Sequence, residues 1–336
     1  MTHILGRVAP WIGLTLLAIA ILLIGAWCSL AVWFRGIGNE PVRDALAGAT
    51  FVLAVLTVGC FATPWRWRAF ASYAAVVAVI LVWWWTIYPS NDRNWAPDVA
   101  RSVTAMIDGD RLVVSNVRDF NWHSDTDFDQ RWEQRTYNLS QVTNADLIMS
   151  YWGNEAIGHT MVSFGFADGS WLVFSIEIRK ERGEIYSTIA GFFKQYDLEM
   201  IAADERDVVR VRSNVRGEDV RVYRLRILPA SAQVLLREYI QEANQLARTP
   251  RFYNTLTANC TTLVFEMARV VHPGLPLDYR VLLSGYLPNY LYDLGATNTS
   301  MPFEKLRDLS RIHASALLAD TDPDFSSRVR EGVPKP

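Results

Sequence analysis

The chain has 336 residues, half of them hydrophobic, with a formal net charge of -2. A balance so near neutral gives no basis for nucleic-acid binding, and three cysteines are too few for a disulfide framework. No phosphate loop or dinucleotide fingerprint occurs, and no cofactor is expected.

Three charge-free stretches come first, at about 8–34, 45–65 and 69–89. Each has roughly the 20 residues needed to cross about 30 Å of hydrocarbon, and residues 1–91 read as a membrane anchor of three spans. The first is too long for a signal-peptide core and is followed by further spans, so it is expected to stay in place. Arg7, Arg66 and Arg68 lie on one side, against Arg35 and Arg43 diluted by Glu40 and Asp44. That bias favours a cytoplasmic N-terminus, which with three spans puts everything after about Asp92 on the outer face of the membrane. Trp83, Trp84, Trp85 and Tyr88 would mark the outer interface. The spans carry no acidic or basic residue and read as anchorage.

Residues 92–318 read as one α+β domain and residues 319–336 as a loosely held tail. After a linker, Asp98–Ile107 is expected to be a short helix with Pro97 at its start. Strands are expected at Arg111–Val117, Arg131–Leu139 and Asp146–Trp152. Thr160–Lys180 reads as a hairpin turned at Asp168-Gly169. Val162, Phe164 and Phe166 share a face with Leu172, Phe174, Ile176 and Ile178, while His159, Ser163, Ser175, Glu177 and Arg179 take the other. An odd loop, Asp168-Gly169-Ser170, keeps these sets together; it sets His159 opposite Arg179 with Glu177 one diagonal step away. Beyond it a helix is expected over Glu184–Tyr196, and strands near Val208–Arg212 and Val220–Ile227. An amphipathic helix follows from Pro229, with Val234, Leu235, Tyr239, Ile240, Ala243 and Leu246 on its apolar face. A second, from Asn259-Cys260 to about Pro273-Gly274, buries Leu263, Val264, Met267, Ala268 and Val271.

Cys28 and Cys60 lie inside the apolar spans, leaving Cys260 as the one cysteine outside them. A cysteine beside an apolar run is by default a small buried residue. Asn259, however, is a favoured N-cap, which makes Cys260 the first residue of a helix whose free N–H groups and dipole stabilise a thiolate. The same N–H groups suit an oxyanion. His159 is the candidate base, and Glu177 and Ser175 compete for the orienting role. Ser163, Asn259, Arg179 and Tyr253 are possible supporting residues. His123, His272 and His313 show no metal-ligand spacing, and no metal site is expected. Asp125–Asp129 resembles the start of a calcium loop, but Gln130 stands where glycine is required and Thr136 where the bidentate glutamate belongs.

The run Ser150-Tyr-Trp-Gly153, then Ile157-Gly-His-Thr160, Ser163-Phe-Gly-Phe-Ala-Asp-Gly169, Ser175-Ile-Glu-Ile-Arg-Lys-Glu181, Gly191-Phe-Phe193 and Asn259-Cys-Thr-Thr262 together resemble the periplasmic domain of the Lnb lipoprotein N-acyltransferases. The resemblance covers most of residues 110–330. It implies a permuted papain-like (NlpC-type) fold, an antiparallel sheet whose histidine strand precedes the nucleophile helix, with Cys260 as nucleophile and His159 as base. The implied reaction moves a fatty acyl chain from a membrane phospholipid to the N-terminal amine of a lipoprotein through a thioacyl-enzyme. Lnb enzymes carry their membrane helices after this domain, whereas here they precede it. Two alternatives stay open: a papain-like hydrolase of cell-wall peptide or lipid ester, and a membrane-anchored binding protein without activity.

Overall fold

The computed structural model describes residues 2–336, with side chains from Trp11 onward; Arg7 and the first residues of the first expected span therefore have side chains outside the described set. Among the described residues the chain divides into two units. One runs to Pro89 and includes Tyr186–Gln195; the other comprises Ser90–Ile185 and Tyr196–Pro336.

The first unit holds α1 (Thr2–Arg35), α2 (Glu40–Gly59) and α3 (Arg66–Trp85). Trp11–Arg35, Glu40–Ala62 and Arg66–Trp85 are each long and apolar enough to cross a membrane. Two hydroxyls inside these helices pair across to a neighbouring helix: Tyr73 donates to the Ile21 carbonyl at 2.8 Å and Ser29 to that of Ala47 at 2.8 Å. Asn39 caps α2, its side chain accepting from the Val42 N–H. The helix expected over 184–196 is absent apart from a 3₁₀ turn at Ala190–Phe192. Tertiary contact wins there: Phe193 packs among Trp27, Phe34 and Trp84, and the Lys194 ammonium donates to the carbonyls of Trp84 and Ile87.

The second unit is mixed α+β, built on a mostly antiparallel sheet. Its strands are β1 (Thr104–Asp108), β2 (Arg111–Arg118), β5 (Trp132–Asn138), β6 (Val142–Tyr151), β7 (His159–Phe166), β8 (Trp171–Arg179), β9 (Asp197–Ala203) and β10 (Asp219–Arg224), with β3 (Asn121–Trp122) and β4 (Phe128–Asp129) paired separately. The order is β1-β2-β9-β8-β7-β6-β10, with β5 on β2. The helix expected at 98–107 is replaced by a 3₁₀ turn at Pro97–Val99 and by β1, because Gly109, at φ 59°, turns the chain and pairs Asp108 with Arg111.

The hairpin expected over 160–180 forms, with one change. Its loop is Ala167-Asp168-Gly169, closed by the Phe166 N–H on the Ser170 carbonyl, with Gly169 at φ 86°. The loop is odd, so the division of faces survives, but partners move by two residues: Met161 faces Ser175 and Phe164 faces Leu172. Continued to the strand end, this register sets His159 against Glu177 and not Arg179.

Helices cover both faces. On one side α5 (Pro229–Arg248), α6 (Cys260–Val271), α7 (Tyr279–Leu282), α8 (Leu287–Asp293) and α9 (Phe303–Leu309) enclose Val162, Phe164, Leu172 and Phe174. Val234, expected on the apolar face of α5, is exposed. On the other side lie α4 (Glu205–Arg210), a π turn at Val211–Val215, α10 (His313–Leu318) and α11 (Phe325–Arg328), against Met161, Val173 and Ile201. A strand was expected near 208–212. The helix wins because Asp204 caps it, accepting from the Arg206 N–H, and Glu205 and Asp207 sit in its first turn.

The tail expected to be loose is packed: Phe325, Val329 and Val333 are buried with the second core. Arg330 anchors it, binding Asp146 at 2.7 Å and clamping Glu205 with two bonds of 2.7 Å, while Glu205 also accepts from Ser163 and Asp146 pairs with Arg224. Burial pushes the Asp146 carboxyl up in spite of both arginines. Removing one partner of such a cluster strands its charges in low dielectric. Arg330→Met is therefore expected to cost about 3–5 kcal/mol in chemical denaturation of the detergent-solubilised chain, and a change within error would show that the tail is not held by this cluster.

Candidate functional site

The loop before α6 is a tight turn in which Asn254 and Ala258 exchange backbone hydrogen bonds. It delivers Asn259 in an extended conformation at the N-cap. The Asn259 side-chain oxygen accepts from the N–H groups of Thr261 (2.9 Å) and Thr262 (3.0 Å), and Thr262 Oγ1 accepts from the Asn259 N–H at 2.9 Å. This reciprocal box consumes the first free donors of the helix. The Asn259 amide group is spent as well, donating to the Thr255 carbonyl at 2.8 Å. Asn259 therefore positions the helix end. Among the described residues the N–H of Cys260 itself donates to nothing.

Cys260 is partly exposed; its Sγ lies 3.8 Å from Thr261 Oγ1, and His159 and the Thr160 N–H act on the thiol. Thr160 Oγ1 lies 3.1 Å from Thr261 Oγ1, fastening β7 to the first turn of α6. The imidazole is buried. Its Nε2 is 2.7 Å from Ser175 Oγ and 3.2 Å from Glu177 Oε1. Ser175 in turn donates to Glu177 Oε1 at 2.6 Å, so its oxygen accepts from Nε2–H. The competing third members thus act together: Ser175 and Glu177 both receive the distal side of the ring.

The electrostatics follow from this arrangement. Burial and nearby Arg212 disfavour a charged His159, but Glu177 and the bond to Cys260 outweigh them and lift its pKa to about 9. Burial alone would raise the Cys260 thiol; His159 together with the Thr160 N–H brings it below the ordinary thiol value instead. Glu177 is buried too, yet His159 and Arg212 hold its carboxyl well below the usual carboxylate range. These shifts favour a thiolate beside an imidazolium, the state of an activated nucleophile.

Arg212, in the π turn, was not singled out from the sequence. It donates to Glu177 Oε1 at 3.0 Å and lies 3.4 Å from Glu218. Its segment reads as a β-branched strand, and only the packing of that turn over β8 reveals its role. Two expected supporting residues lie elsewhere: Ser163 belongs to the Arg330 cluster, and Arg179 pairs with Glu199 at 2.8 Å, with its guanidinium over Trp95. Tyr253 packs against the helix-side core, its N–H donating to the Tyr196 carbonyl.

The walls of the site are bound together. Ser284 Oγ receives the Gly158 N–H and donates to the Gly158 carbonyl, and the Gly285 N–H donates to the Ala156 carbonyl. A Cβ on Gly285 would stand 1.9 Å from the Glu155 carbonyl oxygen, so only glycine permits this approach. The segments flanking the dyad carry exposed apolar side chains: Trp152 and Ile157 before His159, Leu256 before Cys260, and Leu277 and Leu282 beside Ser284.

Residues 128–285 match the family model described as the Lnb N-terminal periplasmic domain. No curated protein and no solved structure gives a match. The matched stretch contains His159, Ser175, Glu177, Arg212 and Cys260. Residues 128–285, a little under half of the chain, are thus a domain of the Lnb type, and together with the membrane-capable helices they support a membrane protein with a periplasmic domain and a role related to lipoprotein N-acylation.

Proposed function

We propose that the domain is a thiol acyltransferase of the permuted papain-like type, held by three spans in the bacterial inner membrane, which carries an acyl chain from a phospholipid to the N-terminal amine of a lipoprotein. The observation that carries this reading is the cluster of Cys260, His159, Ser175 and Glu177, with His159 Nε2 2.7 Å from Ser175 Oγ and 3.2 Å from Glu177 Oε1 and with His159 lowering the Cys260 thiol. The order of the histidine strand before the nucleophile helix supports the permutation.

The cycle has two halves. The Cys260 thiolate attacks the ester carbonyl of the donor, forming a C–S bond while the carbonyl electron pair moves to oxygen. Collapse breaks the C–O bond, and imidazolium His159 gives its proton to the departing alkoxide, so a lysophospholipid leaves. Neutral His159 then takes a proton from the attacking amine. An amide C–N bond forms, the C–S bond breaks, and the thiolate is restored. Exposed Trp152, Ile157, Leu256, Leu277 and Leu282, on the segments that flank the dyad in the chain, favour a lipid substrate over cell-wall peptide. Both substrates are lipid-embedded, so anchoring the domain raises their effective concentration.

Two measurements test the reading. Incubation with phospholipid should leave a hydroxylamine-labile acyl group on Cys260, seen by mass spectrometry, and none on Cys260→Ala. His159→Ala should slow its formation by about 10²–10⁴-fold. Loss of the acyl group to water at the same rate with and without an amine acceptor would mark a hydrolase, and no adduct with intact cellular function in Cys260→Ala would mark a binding protein. Alkylation by iodoacetamide reports the ion pair. Because His159 lowers the thiol, the rate should rise at a pH below the ordinary thiol range, and His159→Ala should move that rise upward. Glu177→Gln removes the main charge raising His159, so the imidazolium should be lost at a pH below about 9. Identical profiles in all three proteins would refute the ion pair.

A further inference from the structure

Residues 185–193 carry no charge and are flanked by Glu184 and Lys194. Within the first unit, the buried Phe193 ring stacks on Phe34 at 5.4 Å between centroids and lies 6.3 Å from Trp27 and 6.5 Å from Trp84. Trp27 and Phe34 are two turns apart on α1, about 10 Å along the helix axis. The ring therefore stands alongside the last two turns of a membrane-capable span. Next to it, the Lys194 ammonium caps the end of α3, 4.7 Å from the centre of the Trp84 ring and donating to the Trp84 and Ile87 carbonyls. A cation at a helix C-terminus suits the dipole, and a lysine stem along apolar surface suits the edge of a bilayer.

The backbone of this segment meets the demand that hydrocarbon makes. The N–H groups of Ala190 and Gly191 go to the Ser187 hydroxyl and carbonyl, and those of Phe192 and Phe193 to the carbonyls of Ile189 and Ala190. Non-helical backbone enters apolar surroundings only when its donors are satisfied in some such way. The side chains then divide. Ala190, Gly191 and Phe193 are buried, while Ile189 and Phe192, set on one side of the 3₁₀ turn by their spacing of three, are 56% and 44% exposed. Trp33 near the end of α1 and Trp85 at the end of α3 are exposed as well. Left in water, that apolar face would be a standing cost. We infer that residues 186–193 dip into the bilayer beside the C-terminal ends of α1 and α3, with Ile189 and Phe192 against the lipid chains of that leaflet. The patch continues the lipid-facing surface and aromatic belt of two spans, which selects lipid over a protein as its occupant.

The test places photoreactive p-benzoylphenylalanine at Phe192 or at Ile189 of the full chain, in detergent-free vesicles of phosphatidylethanolamine and phosphatidylglycerol. Leu23, exposed in the middle of the first span, carries the same probe as the reference. After irradiation, the probes at Phe192 and Ile189 should give phospholipid adducts in yields comparable with that at Leu23, seen by mass spectrometry. Fragmentation should place their cross-links on the part of the acyl chain near the glycerol, and those from Leu23 further down. Adducts at Leu23 with none at Phe192 or Ile189 overturn the assignment. A cross-link to a second copy of the chain or to another protein in place of lipid overturns it too, because the patch would then be a protein interface. Neither readout depends on Cys260, so the result stands apart from the acyl-transfer reading.

Discussion

One carboxylate oxygen organises the site. Glu177 Oε1 accepts from Ser175 at 2.6 Å and from Arg212 at 3.0 Å, and lies 3.2 Å from His159 Nε2. A buried carboxylate is costly unless it is paired and hydrogen-bonded, and here the three donors come from β7, β8 and the π turn. Holding that oxygen therefore means holding three elements in register. Arg212 has two opposed effects. Its permanent charge keeps Glu177 ionised, yet the same charge pulls the His159 pKa down. Glu177 consequently remains compensated when His159 gives up its proton, and the imidazolium is not locked in place by an otherwise solitary partner.

The sheet face beneath this site depends on the same principle. All of β7 is buried, including the polar positions that an amphipathic strand would leave to solvent. Charges on that face must then be neutralised in pairs: Arg330 with Asp146 and Glu205, and Arg118 with Asp207 at 2.8 Å, while Asp207 also accepts from the Trp122 indole and the Phe120 N–H. These clusters bring the C-terminal tail and α4 onto the sheet. The tail is thereby part of the fold that positions Arg212.

The sequence is most legible where one residue type has one local physical job. Alternation in 162–166 and 172–178 assigns the two faces correctly, because parity depends only on the pleat. Asn259 reads as a cap and is one, since few residues match its side chain to N–H groups two and three positions on. Loop placement is less legible: Ala167-Asp168-Gly169 and Asp168-Gly169-Ser170 satisfy the same parity but differ by two residues in cross-strand partner. The structure selects the former, which brings Glu177 toward the ring and sends Arg179 to Glu199. Arg212, Ser163 and Arg330 were illegible for another reason. Each takes its role from a partner more than thirty residues away, and no local period encodes that pairing.

The dyad's charge state gives His159 its two roles in the proposed cycle in the right order. In the resting enzyme His159 has a pKa of about 9, so near neutral pH it is an acid, as the first half-reaction requires for a departing alkoxide. Acylation turns the sulfur into a neutral thioester and removes the bond with Cys260 that helps to raise the ring. Burial and Arg212, which both lower it, are unchanged. The imidazole left after donating its proton is consequently a weaker holder of protons than it was in the free enzyme. It is then a neutral base when the amine arrives, and recovering the proton regenerates the imidazolium just as the thiolate reappears beside it. Glu177 and Ser175 stay bonded to the distal nitrogen throughout, so the ring changes charge without changing place.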